Sequence, residues 1–298
     1  VHQLGRKEGI FLLAAQLGRV CVPISQWYNR RNPLIQMSSI LIFIPYFGTL
    51  PEVFPFWYNS ALNNPDVDFL FITDCDIKEA PNIKVRKSTL EKEKERFEKA
   101  LGMEICLPNA YKLCDFKAAY GFIYADEREG YDFWGFGDID LVYGRIRDYF
   151  TEDVLARYDM ISGWGHLTLY RNCEFCNTFF MRHHEGFLTF EEVFSKPENC
   201  CFDEYFGGCS TVWDTFYPER VFHCESSIDD IRIQSRCSHF RCEFNQERNC
   251  MTFMYKDRNL YRIYYDSKYR RHVEPTLYAH FQKRHNWTIK TEDYSCYI

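Results

Sequence analysis

Two aspartates one residue apart, Asp138 and Asp140, end an aromatic, glycine-bearing run, YDFWGFGDIDLVYG at residues 131–144. In an extended segment side chains alternate faces, so carboxylates at this spacing point the same way and can converge on one hard cation, while Ile139 turns into the core. A divalent ion held by so few protein groups keeps coordination positions open to water or substrate phosphates, so this spacing suggests metal-assisted chemistry on a phosphorylated substrate. The pair alone is a weak signal in a chain with 42 acidic residues among 298, where such pairs also arise as solvated strand ends or turns. Its setting strengthens it. Phe133, Trp134 and Phe136 read as a buried strand, and Gly135 and Gly137 would let a ligand or another backbone approach closely.

The elements that must position these residues alternate strand and helix. SILIFIPYFG reads as a buried strand ending at Pro45 and Gly48, Phe54 to Leu62 as a short helix, Asp66 to Thr73 as a second strand closed by Asp74, and Asn82 to Lys87 as a third. Ser88 with Glu91 makes a capping-box start for a charged helix to about Leu101. Leu113 to Glu127 reads as a further helix ahead of the strand at 131–136. Such alternation predicts an α/β domain with a mainly parallel sheet flanked by helices, whose ligands collect at the carboxyl ends of the strands. Pro45–Gly48, Thr73–Asp74 and Gly137–Asp140 all fall at such ends. The second half is less regular: short strands at 158–163 and 167–170, helical turns at 173–183 and 185–195, and a β-hairpin of Met251–Tyr255 and Leu260–Tyr265 joined by KDRN.

Length and composition bound the answer. A chain of 298 residues that is 46% hydrophobic and 26% charged is globular and large enough for one big α/β domain, and no run is apolar enough to span a bilayer. The net charge of −6 disfavours nucleic-acid binding through a general basic surface. The basic residues Arg6, Lys7, Arg19, Arg30 and Arg31 crowd the first 36 positions. Met37, the first methionine, immediately precedes the first strand. Residues 1–36 are therefore expected to be a basic N-terminal extension, upstream of a single domain at 37–298. Fourteen cysteines without a recognisable secretory signal point to free thiols and a cytoplasmic setting. Cys173 and Cys176 form a CxxC, with Cys237, Cys242 and Cys250 further on, so a structural zinc is the alternative use of these thiols.

IPYFG at 44–48, FITD at 71–74, YKLCDFKAAYG at 111–121 and FWGFGDIDLVYG at 133–144 together resemble a nucleotide-sugar-dependent glycosyltransferase of the GT-A fold. GHLTLYRN at 165–172, FDEYFGG at 202–208 and LYAHFQKR at 277–284 complete the likeness. The set is similar to an uncharacterised bacterial glycosyltransferase-like family associated with capsule and other cell-surface polysaccharide synthesis, and it covers residues 37 to about 290. The resemblance implies a GT-A-like, Rossmann-like domain with an elaborated C-terminal acceptor-side half. It also implies Mn²⁺ or Mg²⁺ bound by Asp138 and Asp140, a nucleotide-sugar donor with UDP favoured, and a glycan or lipid-linked acceptor. The enzyme would work in the cytoplasm, with peripheral association at the inner face of the membrane. His280 would be the third metal ligand and Lys283 a diphosphate contact, although a lone histidine is more often structural.

By the same resemblance, Asp115 takes an acidic nucleoside-contacting position, and Lys117 falls one residue short of the arginine that usually follows it. Lys112 would neutralise phosphate or simply be solvated at a helix start, and Tyr46, Phe47 and Asp74 would frame base and ribose. Asp203 or Glu204 would take the acceptor proton in an inverting reaction or stabilise an oxocarbenium in a retaining one, unless they are only acids favoured at a helix N-terminus. His166 would line the acceptor side. Two alternatives stand beside this reading. DIDLV also matches a phosphatase motif of the haloacid-dehalogenase type, with Asp229 and Asp230 as downstream ligands, and a non-catalytic sugar-binding relic would keep the fold without the chemistry.

Overall fold

Strand β1 (Ile40–Tyr46) alternates two sets of side chains, and each set seeds one layer of the core. Ile40, Ile42 and Ile44 pack with Trp57 and Ala61 of the helix Phe54–Leu62 on one face. Leu41 and Phe43 pack with Phe97 of the helix Leu90–Leu101 and with Phe116, Tyr120 and Tyr124 on the other. Burial on both faces explains why this strand reads as a continuous apolar run. In the computed structural model, residues 37–163, 165–204, 207–231, 249–282, 290–292 and 295–297 are described, and from Ser38 they belong to one compact unit. The N-terminal stretch 1–36, Lys283, Cys237 and Cys242 lie outside the described residues.

The further strands of the main sheet are β2 (Asp68–Thr73), β3 (Ile83–Lys87), β4 (Phe133–Gly137), β6 (Met160–Gly163), β7 (Leu167–Arg171) and β8 (Val221–His223). They form a seven-stranded sheet in the order β3-β2-β1-β4-β7-β6-β8, in which β7 alone runs against the rest. The protein is thus a mixed α/β fold with a mainly parallel sheet flanked by helices, compatible with a Rossmann-like architecture.

Two smaller sheets elaborate the C-terminal half. Strands β5 (Leu141–Tyr143), β9 (Ile228–Asp230) and β13 (Tyr278–His280) form a three-stranded sheet with β13 in the middle. The second contains β10 (Asn249–Lys256), β11 (Asn259–Tyr265), β12 (Arg271–Pro275), β14 (Lys290–Glu292) and β15 (Ser295–Tyr297). Phe253 and Leu260 of the β10–β11 hairpin pack with Val142, Ala279 and Phe281, so this hairpin braces the small sheet from behind. Its turn residues Asp257 and Arg258 both have left-handed φ, 52° and 61°, as a two-residue hairpin turn of primed type requires.

Three local expectations differ from the structure. The N-cap of the helix Leu90–Leu101 is Thr89, whose side chain accepts from Lys92 N, while Ser88 Oγ donates to buried Glu93 at 2.5 Å instead. The segment expected as one helix from Leu113 is a 3₁₀ helix, Ala110–Ala119, followed by a short α-helix, Tyr120–Ile123. The helical turns at 173–183 and 185–195 shrink to Glu174–Asn177, a 3₁₀ turn Phe179–Met181, and Phe190–Phe194.

Candidate active site

In the strand order 3-2-1-4 the order of winding reverses between the parallel strands β1 and β4, and the carboxyl ends of strands at such a switch point are the usual crevice for ligands in open α/β sheets. Tyr46, Phe47 and Gly48 leave β1 at that edge, and Asp138, Ile139 and Asp140 leave β4 beside them. Asp74, at the end of neighbouring β2, accepts from Gly48 N at 3.2 Å, which ties the first two strand ends together. Lys87 at the end of β3 adds a cation, donating to Asp76 Oδ1 at 2.6 Å and to Cys75 O at 2.7 Å.

Asp138–Asp140 links β4 to β5 through a turn at Ile139 and Asp140, so its carboxylates are not set by strand alternation; Ile139 is buried in the core as expected. The turn is held from several sides. Trp57 Nε1 donates to Asp138 O at 3.0 Å, Asp138 N donates to His166 O at 2.8 Å, and Phe281 N donates to Asp140 O at 3.0 Å. The small sheet then sets the third group. Pairing of β13 with β5 puts His280 opposite Leu141, and pairing with β9 puts it opposite Asp230.

As a result, ligand-capable atoms of Asp138, Asp140 and His280 all lie within 4.8 Å of one another. His280 Nε2 is 3.3 Å from Asp140 Oδ1, and Nδ1 is 2.8 Å from Asp230 Oδ1. Burial pulls the imidazole toward neutrality, but Asp140 and Asp230 outweigh it and hold its pKa at about 10. The cluster therefore favours positive charge at this spot. Two carboxylates and one imidazole form a hard, oxygen-rich donor set of the kind Mn²⁺ or Mg²⁺ accepts.

On the far side of Asp138 lies a buried ammonium. Lys117 Nζ is 2.8 Å from Asp138 Oδ1 and 3.1 Å from Asp203 Oδ2, and it donates to Gly165 O at 2.9 Å. Burial opposes its charge, yet Asp138 and Asp203 hold it well above lysine's ordinary range. Asp203 is 1% exposed, and its Oδ1 has no hydrogen-bond partner among the described residues. Burial raises its carboxyl to about 7, against the lowering pull of Lys117. Burial likewise raises Glu204, whose Cγ fills the space where a Cβ at Gly165 would fall. Neither acid is a helix N-terminal residue, because the next helix begins at Cys209. A carboxyl held near neutral pH, with an oxygen that has no hydrogen-bond partner among the described residues, has the chemistry for proton exchange, although that oxygen is itself buried.

The remaining expected residues divide. Lys112, expected at phosphate or in solvent, and Asp115, expected at the nucleoside, face each other in the interior. They form a buried ion pair at 2.7 Å, with Lys112 also donating to Val193 O and Glu198 O, and Asp115 accepting from Cys200 N and Phe202 N. The pair fastens the 193–202 segment that carries Asp203. Lys117 joins the acid cluster and not a nucleoside surface. Tyr46 stays at the crevice, its hydroxyl donating to Thr49 O, and the charges of Asp74 and Asp140 reach it. Phe47 packs half-buried on the core. The His166 ring lies tilted against that of His280, with centroids 3.9 Å apart, and burial with His280 beside it keeps its pKa well below the usual histidine range.

The two glycines let other parts of the protein approach closely. A Cβ at Gly135 would lie 2.2 Å from Thr168 O of β7, and one at Gly137 would lie 2.8 Å from Tyr143 Oη. Cys173 and Cys176 have sulfurs 3.5 Å apart, but no cysteine joins either group of possible metal ligands among the described residues. Sequence reasoning missed Trp57, Lys87, Gly165 and Gln282, and it gave Asp230 a part only in the phosphatase alternative. Trp57 and Lys87 lie on elements that were expected, so their faces were readable; no local signal marks Gly165 or Gln282.

The chain belongs to a family of unknown function, DUF6625, whose pattern matches residues 42–298. No curated protein matches the sequence.

Proposed function

We propose that this protein is a metal-dependent glycosyltransferase, moving a sugar from a nucleoside-diphosphate sugar to a glycan or lipid-linked acceptor in cell-surface polysaccharide synthesis, with UDP the favoured base. The observation that carries the reading is the convergence of Asp138, Asp140 and His280 at the β1/β4 crevice, with Asp203 joined to them through Lys117. The mainly parallel sheet with its C-terminal elaboration supports the GT-A form of the α/β fold.

A Mn²⁺ or Mg²⁺ ion held by Asp138, Asp140 and His280 would supply positive charge to the donor diphosphate and offset the charge that builds on the leaving group. The chain's own groups account for the rest. Tyr46 and Asp74 line the donor end of the crevice. Lys117 holds Asp138 on one side and Asp203 on the other, fixing the distance between donor and acceptor chemistry. Asp203, whose Oδ1 is buried and unpaired, takes the proton of the acceptor hydroxyl if the reaction inverts, and Glu204 stands next to it. The cytoplasmic face of a membrane is the proposed place of work; no helix among the described residues is long and apolar enough to cross a membrane.

The phosphatase alternative draws less support. DIDLV follows the fourth strand of the sheet, whereas the phosphatase motif ends the first, and Asp229 turns to Thr276 Oγ1 at 2.8 Å and Arg262 at 3.6 Å. A thermal-shift panel of UDP, GDP, CDP and CMP, each with and without Mn²⁺, separates the readings, because a ligand bound only by the native state raises its melting temperature. A Mn²⁺-dependent rise with one nucleoside diphosphate supports the transferase and names the base. No shift, with hydrolysis of a generic phosphate ester, favours the phosphatase, and silence in both favours a binding module.

A further inference from the structure

We propose that Asp230 is a positioning residue, which holds the His280 ring with its proton on Nδ1 so that Nε2 is presented to Asp138 and Asp140. The inference rests on the metal reading above. An imidazole binds a metal through a deprotonated nitrogen, and a carboxylate on the other ring nitrogen fixes the tautomer, the ring orientation and the basicity of the ligand.

The fold supplies that arrangement from a distance of 50 residues. Parallel pairing of β9 with β13 sets Asp230 directly opposite His280, and Ile231 N donates to His280 O at 2.9 Å, so the two backbones cannot slip past one another. Asp230 Oδ1 then accepts from His280 Nδ1 at 2.8 Å. The same oxygen accepts from Gln282 Nε2 at 2.9 Å. Gln282 makes that contact from a left-handed backbone, φ 50°, a region that disfavours a residue with a side chain. On its other side the His280 ring lies against His166, with centroids 3.9 Å apart. Asp230 and His166 thus flank the ring, and Gln282 holds Asp230 in place.

Asp230 could alternatively ligate the ion itself, since His166, Asp230 and His280 form a second group of ligand-capable atoms within 4.8 Å. Two features favour the positioning role. Asp230 Oδ1 already takes two hydrogen bonds, and the first group offers two carboxylates to a hard cation where the second offers one.

The test is Mn²⁺ alone, titrated by the EPR signal of the free ion, with pulsed EPR of the bound ion to detect coupling to an imidazole nitrogen. Wild type, Asp230→Ala, Asp230→Asn and Asp140→Asn are compared. The proposal expects Asp230→Ala to bind Mn²⁺ roughly 10–100-fold more weakly and to lose the nitrogen coupling. Asp230→Asn, whose amide oxygen still accepts from Nδ1, should keep the coupling and stay nearer wild type. Wild-type affinity and coupling in Asp230→Ala would overturn the proposal. So would an Asp230→Asn loss as deep as that of Asp140→Asn, which would make Asp230 a ligand. If Asp230→Ala fails to fold, Asp230→Asn decides by whether its nitrogen coupling persists or disappears. A wild type that binds no Mn²⁺ at all overturns the metal reading instead, and is told apart by that control.

Discussion

Lys117 joins Asp138 to Asp203 through one buried ammonium, with Nζ 2.8 Å from the first carboxylate and 3.1 Å from the second. The Asp138–Asp140–His280 group and the Asp203 carboxyl are therefore parts of one charged cluster. Replacing Lys117 with Ala leaves Asp203 buried without its cation. Destabilisation is expected in urea denaturation near neutral pH, smaller than for a stranded charge because Asp203 can take up a proton, and a normal unfolding midpoint would contradict the placement of this lysine.

Under the proposed transfer, Asp203 would set the pH dependence. Its carboxyl is held at about 7, so it accepts a proton readily only above that value. The transfer rate should rise with pH through about 7, and Asp203→Asn should lose roughly 10²–10⁴-fold in rate while Mn²⁺-dependent nucleotide binding persists. Stability carries the opposite sign. The folded pKa lies above the ordinary 3.8, so the folded state keeps a proton that the unfolded chain releases; this contribution is full below the ordinary value and is lost as pH rises through about 7. Urea denaturation on either side of that window should show a slope in wild type that is reduced in Asp203→Asn.

Lys112 separates a structural role from a ligand role. Lys112→Ala strands the fully buried Asp115 carboxylate and should destabilise the fold by about 3–5 kcal/mol. The nucleotide affinity of the folded fraction should change little. Calorimetric titration on the variant checks this: a large loss of affinity with unchanged stability would return Lys112 to the donor site.

Gly135→Ala would place its Cβ 2.2 Å from Thr168 O, so β4 and β7 must separate. Destabilisation of about 1–3 kcal/mol is expected, with no specific effect on metal affinity. A selective loss of ligand binding would mean that this glycine faces the ligand.

The sequence is most readable where the chain obeys local rules. The helix Phe54–Leu62 and the turn of the β10–β11 hairpin follow from apolar period and turn residues. The 3₁₀ helix was hidden, because its apolar pattern fits an α-helix as well. Its three-residue turn eclipses positions i and i+3, and this brings Lys112 onto Asp115. Likewise, the Asp138–Asp140 spacing announced a cluster, but its geometry comes from a turn. The role of Asp230 was beyond local reading: β9 is three residues long, and only its pairing with β13 makes Asp230 a partner of His280.

The most direct test is calorimetric titration of UDP, GDP and CDP into wild type and Asp140→Asn, with and without Mn²⁺. The account predicts that wild type binds one of them only with Mn²⁺ present, and that Asp140→Asn loses this binding while it still folds, with a cooperative metal-free melting transition. Unaltered Mn²⁺-dependent affinity in Asp140→Asn would contradict the central claim.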